Sequence, residues 1–150
     1  MSVLVRRPGV TPAGTECQVP VVTTDFYPTL IEALGLKGRV KLNAPLDGVS
    51  LVPLLRQPDG ALERDALYFH YPYYYPTTTP VSAIREGDWK LLHYYEDDRL
   101  ELYHLSEDVG ERRNLAVAQP ERAQALKRRL NDWLKAVDAQ FPAPNPRFKR

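Results

Sequence analysis

The clearest pattern in the chain is a stripe of apolar residues near its C-terminal end. After Pro120, apolar side chains recur at helical spacing and charged side chains fall mostly on the other side. The stripe consists of Ala123, Leu126, Leu130, Trp133, Leu134 and Val137. Because a stripe about 100° wide lets a helix pack on one face of a sheet, this pattern predicts a long C-terminal helix that covers a sheet.

Four short runs of strand-forming residues precede that helix, at 66–71, 81–85, 89–95 and 100–105. The connectors at 86–88 and 96–99 are polar and of hairpin length. The longer connector at 71–80 carries tyrosines and prolines, which predict a loop rather than a strand. Consecutive short strands with tight turns predict an antiparallel meander.

The first third of the chain has a weaker pattern. The apolar run at 3–5 predicts a strand, and Thr23-Thr24-Asp25 offers N-cap side chains for a helix that ends near Leu34. A short helical segment is expected around Pro53. The fold class is therefore α+β, with a four-stranded antiparallel sheet, a long C-terminal helix and a preceding strand–helix segment.

Composition narrows the choice of partners. The 150 residues carry 20 Lys+Arg and 19 Asp+Glu, which gives a net charge of +1. Because this composition has no excess of basic residues, we expect no nucleic acid as a partner. No apolar run approaches the roughly 20 residues that span a bilayer, and we expect no membrane partner. A single cysteine excludes an internal disulfide framework. The first residues do not form a signal peptide, and the compartment stays unknown.

Several blocks of sequence, taken in order, resemble the C-terminal part of type I (formylglycine-dependent) sulfatases of the arylsulfatase family. Residues 24–30 read TDFYPTL, 46–55 read LDGVSLVPLL, and 83–91 read AIREGDWKL. The series begins with the strand and turn at 3–9 and ends with ELYHL at 101–105 and DVGERRNLA at 108–116. One block alone is a weak signal, whereas the ordered series covers nearly the whole chain.

The resemblance implies an alkaline-phosphatase-like α/β main domain followed by a smaller subdomain. Residues 1–60 would be the tail end of the main domain, and residues 61–150 the C-terminal subdomain. In similar sulfatases the His-Tyr-Pro segment faces the mouth of the active site, which makes His70, Tyr71, Tyr73 and Tyr74 candidate substrate contacts. Tyrosine rings suit a sugar ligand, but they suit an interdomain contact equally well, and the sequence leaves both open.

Sulfatases of this type use calcium and a formylglycine made within a C/S-x-P-x-R motif. Here Cys17 is followed by a proline at position 20, one place too late, and by no arginine. His93 and His104, which could be neighbours across the second hairpin, lack metal-ligand spacing. We therefore expect no catalytic residue, metal ligand or cofactor in this chain, and no hydrolysis of sulfate esters by the chain alone.

Two roles remain open at this point. The first is that of a non-catalytic C-terminal fragment that completes a sulfatase, meets sulfated substrate only in the full enzyme, and has the N-terminal domain as a partner. Its surfaces facing the main domain would be exposed, which predicts a homo-oligomer. The parent enzymes are often periplasmic or secreted. The alternative is a free-standing carbohydrate-binding module with the same architecture.

Overall fold

The computed structural model describes residues 3–41 and 45–143. It divides the chain into two compact units, Met1–Arg64 and Asp65–Arg150. The assignment of residues 1–60 to a sulfatase main domain and of 61–150 to its subdomain stays a prediction.

Among its described residues, 3–41 and 45–64, the first unit contains two α-helices. Helix α1 spans Phe26–Ala33 and follows a single 3₁₀ turn, and helix α2 spans Val52–Arg56. Both carry a proline early in the helix, where the missing N–H costs nothing, namely Pro28 and Pro53. The predicted positions of both helices are confirmed.

Helix α1 is held on its buried side by polar groups. The Thr29 hydroxyl donates to the Asp25 carbonyl at 2.6 Å and accepts the Leu51 amide at 2.8 Å. The apolar side chains behave differently, since Leu30 is 59% exposed and Leu34 is 68% exposed. The predicted apolar face of α1 is thus largely open to solvent.

Two local predictions in this unit are wrong. Residues 3–5 form no strand, and Leu4 is 97% exposed. Their β-branched side chains favour extended backbone, but a strand needs a paired neighbour, and none of the described residues pairs with this segment. The Asp25 side chain does not cap α1 either, because its carboxylate accepts the preceding Val22 amide at 2.9 Å.

The second unit contains the predicted antiparallel meander. Its strands are β1 (Leu67–Tyr71), β2 (Val81–Glu86), β3 (Trp89–Tyr94) and β4 (Leu100–His104), in the order β1-β2-β3-β4. Gly87 has a φ of 56° in the turn between β2 and β3, where a side chain would be strained. The sheet order and all four strands are confirmed.

Helix α3 spans Pro120–Ala136 and covers one face of this sheet. The buried cluster contains one residue from each of β2, β3 and β4 and four residues of the helix stripe. The strand residues are Ile84, Leu91 and Leu102, and the helix residues are Ala123, Leu126, Leu130 and Leu134. At the β1 side, the Tyr68 ring stacks on Trp133 with centroids 4.9 Å apart. The predicted stripe therefore packs as expected, although Val137 at its end is 49% exposed.

The outer edge of β4 is covered by the segment that leads to α3. The Leu102 amide donates to the Asn114 side-chain oxygen at 3.0 Å, and the Leu115 amide donates to the Leu102 carbonyl at 2.7 Å. Such cover protects a sheet edge from pairing with another chain. The prolines at 142–150 predict a tail that wraps the surface or is disordered, and this stretch lies mostly outside the described residues.

Candidate functional site

The segment 71–80, which runs from the last residue of β1 to the residue before β2 and is here called the tyrosine loop, carries four exposed rings. Tyr71 is 40% exposed, and Tyr73, Tyr74 and Tyr75 are 61–68% exposed. Reciprocal backbone hydrogen bonds between Tyr75 and Thr78, at 3.0 and 3.1 Å, form a tight turn at the tip. The loop therefore has an ordered backbone and presents its aromatic side chains outward.

Three of these rings form one aromatic group. Tyr71 meets Tyr73 edge-on with centroids 6.0 Å apart and meets Tyr75 edge-on at 6.4 Å. Edge-to-face contacts hold rings in defined orientations, and each contact covers one face of one of the two rings. Of the predicted contacts, the structure thus brings Tyr71 and Tyr73 together directly.

Tyr74 points to a different neighbour. Its hydroxyl donates to the Glu96 carboxylate at 3.3 Å, on the turn between β3 and β4. The negative charge of Glu96 is the main cause that raises the pKa of Tyr74 above its ordinary value. Tyr74 therefore stays a neutral hydroxyl beside a carboxylate, a pair that can both donate to and accept from a sugar hydroxyl.

His70, the residue immediately before the loop, is held through both ring nitrogens. Its Nδ1 lies 2.6 Å from the Ser82 hydroxyl, and its Nε2 lies 2.8 Å from the Gln140 carbonyl. The Tyr95 hydroxyl donates to the same serine oxygen at 2.6 Å. His70 thus sits in a network of protein groups, and its predicted contact with substrate stays a prediction.

The other two histidines lie apart. His104 pairs with Trp89 in the register of β3 and β4, whereas His93 pairs with Leu100. The possibility that His93 and His104 are neighbours across this hairpin is therefore excluded, because antiparallel register places them at opposite ends of it. Among residues 3–41 and 45–143, no three His, Cys, Asp or Glu side chains are grouped to hold a metal ion.

His93 belongs to a second polar group that the sequence analysis missed. Its Nε2 lies 2.6 Å from the Asp98 carboxylate, which also accepts from Lys127 at 2.8 Å. The hydrogen bond from Lys127, followed by that from His93, holds the pKa of Asp98 below its ordinary value. The sequence holds one signal for this group. Side chains alternate between the two faces of a strand, and this alternation places Ser82 and His93 on the helix-covered face although both are polar.

The tyrosine loop and its neighbours offer aromatic rings, neutral hydroxyls and a carboxylate. The one cysteine, Cys17, is exposed and lies in the other unit.

Comparison with known proteins decides the family. Residues 1–140 match the family described as N-sulphoglucosamine sulphohydrolase, C-terminal. The chain belongs to this sulfatase family. The resemblance to the C-terminal part of a sulfatase is thereby confirmed, as is the hydrolase class of the parent family.

Individual sulfatases agree with this assignment. A sulfatase of Formosa agariphila is 35% identical over 142 residues, which cover 86% of this chain and 26% of that protein. The N-acetylglucosamine-6-O-sulfatase of Bacteroides thetaiotaomicron is 33% identical over 97% of this chain and 26% of its own length. The chain thus spans about a quarter of the length of these relatives.

Solved structures agree on the fold. A protein in complex with its substrate D-glucosamine-2-N,6-O-disulfate matches 91% of this chain and 28% of its own, with a TM-score of 0.72 and 28% identity. A phosphonate monoester hydrolase of Silicibacter pomeroyi, at 22% identity and a TM-score of 0.57, shares the fold. The predicted α+β class, a four-stranded antiparallel sheet with a long C-terminal helix, is confirmed, and the solved structures that the chain matches are alkaline-phosphatase-like sulfatases.

Proposed function

We propose that this chain is the non-catalytic C-terminal part of a sulfuric ester hydrolase and that its tyrosine loop lines the mouth of the substrate site. In this proposal the nucleophile, the calcium ligands and the formylglycine belong to the N-terminal domain of the enzyme. The observation that carries it is the ordered loop with four exposed tyrosine rings. The comparisons give no support to the alternative, a free-standing carbohydrate-binding module.

The substrate class is proposed to be a sulfated glucosamine. One relative is named as an N-acetylglucosamine-6-O-sulfatase, and one solved structure is described as a complex with a disulfated D-glucosamine. The exposed rings of Tyr71 and Tyr73 suit contact with the C–H groups of a sugar ring. Glu96 carries a negative charge beside Tyr74, which disfavours a sulfate at that place. We therefore expect the sugar hydroxyls to meet Tyr74 and Glu96 while the sulfate points away from them.

The catalytic part of the proposal is tested by assaying the purified chain with an aryl sulfate in the presence of calcium. We expect no turnover above that of a buffer blank. Turnover that copurifies with the chain would contradict the proposal.

The binding part is tested by NMR titration of the chain with N-acetylglucosamine 6-sulfate. We expect weak binding that shifts the ring signals of Tyr71, Tyr73 and Tyr74, and about threefold to tenfold weaker binding after Tyr73→Ala, the factor typical of one aromatic contact. The matched control is Tyr27→Ala, because Tyr27 is a 49% exposed tyrosine in the other unit. Absence of any shift in the wild-type chain would contradict this part.

A further inference from the structure

We propose that Ser82 and Tyr95 are positioning residues that orient His70 in one tautomer, and that the Gln140 carbonyl completes this arrangement, so that both ends of the tyrosine loop are fixed. None of these three groups needs to touch a ligand. The importance of this arrangement for sugar binding rests on the proposed function, whereas the arrangement itself does not.

The register of the sheet brings the network together. Ser82 on β2 is paired with His70 on β1 and with His93 on β3, in one row across three strands. Ser82 is 1% exposed, so its hydroxyl must find its partners within the protein. It has two, the Nδ1 of His70 and the hydroxyl of Tyr95, each 2.6 Å away.

Tyr95 connects the two ends of the tyrosine loop. Through Ser82 its hydroxyl reaches His70, which precedes the loop, and its backbone amide donates to the carbonyl of Pro80, the last loop residue, at 3.0 Å. A loop whose two ends share one anchor loses less conformational entropy when its tip binds a ligand. The network is therefore placed to preorganise the rings at the tip.

The hydrogen bonds determine the tautomer of His70. The Gln140 carbonyl can only accept, so the His70 Nε2 carries a proton and donates it. In the neutral ring the Nδ1 is then an acceptor, which means that Ser82 donates to it. The remaining lone pairs of the Ser82 oxygen accept from Tyr95, and every donor in the chain Tyr95–Ser82–His70–Gln140 has an acceptor.

The aromatic surroundings favour the same arrangement. The Phe141 ring packs edge-on against His70 at 5.6 Å and against Tyr95 at 5.4 Å. Burial raises the pKa of Tyr95, more than its hydrogen bond to Ser82 lowers it, so this phenol remains a donor at neutral pH. Because Gln140 and Phe141 follow α3, the segment after that helix closes over the start of the tyrosine loop.

This arrangement changes the role expected for His70. With both ring nitrogens engaged, a direct hydrogen bond to substrate would displace either Ser82 or the Gln140 carbonyl. The ring instead acts through the loop that follows it. His70 is accordingly a positioning residue, and the tyrosines are the groups left free for contact.

The test is an NMR measurement on the full 150-residue chain. At mildly alkaline pH, where histidines are neutral, nitrogen-15 spectra distinguish a protonated Nε2 from a protonated Nδ1. We expect His70 to carry its proton on Nε2. In Ser82→Ala, which removes the donor to Nδ1, we expect a larger share of the tautomer protonated on Nδ1. In Ser82→Ala and in Tyr95→Phe we expect roughly fivefold faster amide exchange at Tyr75 and Thr78, the factor for about one lost hydrogen bond.

Matched controls are available in the same unit. Ser106→Ala removes an exposed serine whose hydroxyl lies 3.4 Å from the Nδ1 of His104, and Tyr94→Phe removes a neighbouring phenol that contacts Glu101 instead. Neither control is expected to change the His70 tautomer or the exchange of the loop amides. Tyr95→Phe keeps the ring against Phe141, so it provides the measurement even where Ser82→Ala does not fold.

The proposal is overturned by a protonated Nδ1 in the wild-type chain, by an unchanged tautomer in Ser82→Ala, or by unchanged amide exchange in Tyr95→Phe. These outcomes are separate from those of the proposed function. A wild-type chain that shows the expected tautomer but does not respond to N-acetylglucosamine 6-sulfate contradicts sugar binding and supports the positioning network.

Discussion

Arg64 and Asp25 form a two-pronged ion pair within the first unit. Arg64 Nη1 lies 2.7 Å from Asp25 Oδ1, and Arg64 Nη2 lies 3.0 Å from Oδ2. The carboxylate is fully buried and also accepts the amides of Val22 and Val49 at 2.9 and 3.0 Å. One carboxylate thus ties together segments that are far apart in sequence.

Removal of the arginine should be costly. Arg64→Met leaves the Asp25 charge buried without its cation, and we expect a loss of about 3–5 kcal/mol in the free energy of unfolding. The control Arg56→Met changes an exposed arginine of the same unit and should cost less than about 1 kcal/mol. Urea unfolding of both variants and the wild type measures the difference, and equal stabilities would contradict the role of the pair.

The same carboxylate makes stability sensitive to acid. Burial raises the pKa of Asp25, but the hydrogen bonds from Arg64, Val22 and Val49 and the charge of Arg64 outweigh it, so the pKa lies below its ordinary 3.8. Its contribution to stability is therefore fully present above about pH 4 and is lost as pH falls through the lowered folded pKa.

Unfolding measured at a series of acid pH values checks this effect. In Asp25→Asn, where the group cannot titrate, we expect a less steep loss of stability in that range than in the wild type. Asp47→Asn, at a nearby bend, serves as the control and should keep the wild-type slope. A slope in Asp25→Asn as steep as that of the wild type would contradict the prediction.

Gly48 is required where the chain passes closest to Asp25. A Cβ at this position would lie 2.1 Å from the Thr24 carbonyl oxygen and 2.7 Å from the Asp25 nitrogen, both backbone atoms that cannot move aside cheaply. We expect Gly48→Ala to shift the 46–50 segment, weaken the bond from the Val49 amide to Asp25, and cost several kcal/mol, on the order of other strained core sites.

Gly110→Ala is the matched control for Gly48. Its Cβ would meet only the flexible side chain of Arg112, at 3.3 Å or more. Thermal unfolding of the two variants should therefore differ clearly, with Gly110→Ala close to the wild type. A Gly48→Ala protein as stable as the wild type would contradict the prediction, because the backbone at Gly48 would then lie farther from Thr24 and Asp25 than in the structure.

The raised pKa of Tyr103 predicts a loss of stability in alkali. Burial, followed by the hydrogen bond to Glu101 and its charge, raises the pKa of Tyr103 from 10.0 to about 12. The stabilisation is therefore fully present below pH 10 and is lost as pH rises through about 12. Over that range we expect Tyr103 to contribute about 2 kcal/mol of lost unfolding free energy, so that Tyr103→Phe makes the loss smaller by about this amount and Tyr75→Phe, in the exposed loop, does not.

Much of the fold could be predicted because its signals are local. The stripe from Ala123 to Leu134 and the short polar connectors between strands depend on residues a few positions apart, and both were interpreted correctly. The tyrosine loop was found for the same reason, since its prolines exclude a regular strand.

What was missed depends on contacts between residues far apart in sequence. Asp25 looks like an N-cap residue until Arg64, 39 positions later, is placed beside it. Ser82 gives no sign of its partners, because His70 and Tyr95 meet it only through the register of the sheet. The run at 3–5 has the local preference of a strand but no paired neighbour among the described residues, and local preference alone does not form a strand.

The exposed face of α1 leads to a prediction about assembly. Leu30 and Leu34 are 59% and 68% exposed on one side of this helix, and apolar patches of this kind favour association. We propose that a second copy of the chain covers them, and expect light scattering to give at least twice the 17.1 kDa mass of one chain. Leu30→Glu with Leu34→Glu should give a monomer, whereas Lys37→Glu, at an exposed position beyond the helix, should not. A wild-type chain that is monomeric at micromolar concentration contradicts this proposal, because the apolar face would then be stable in water without a partner.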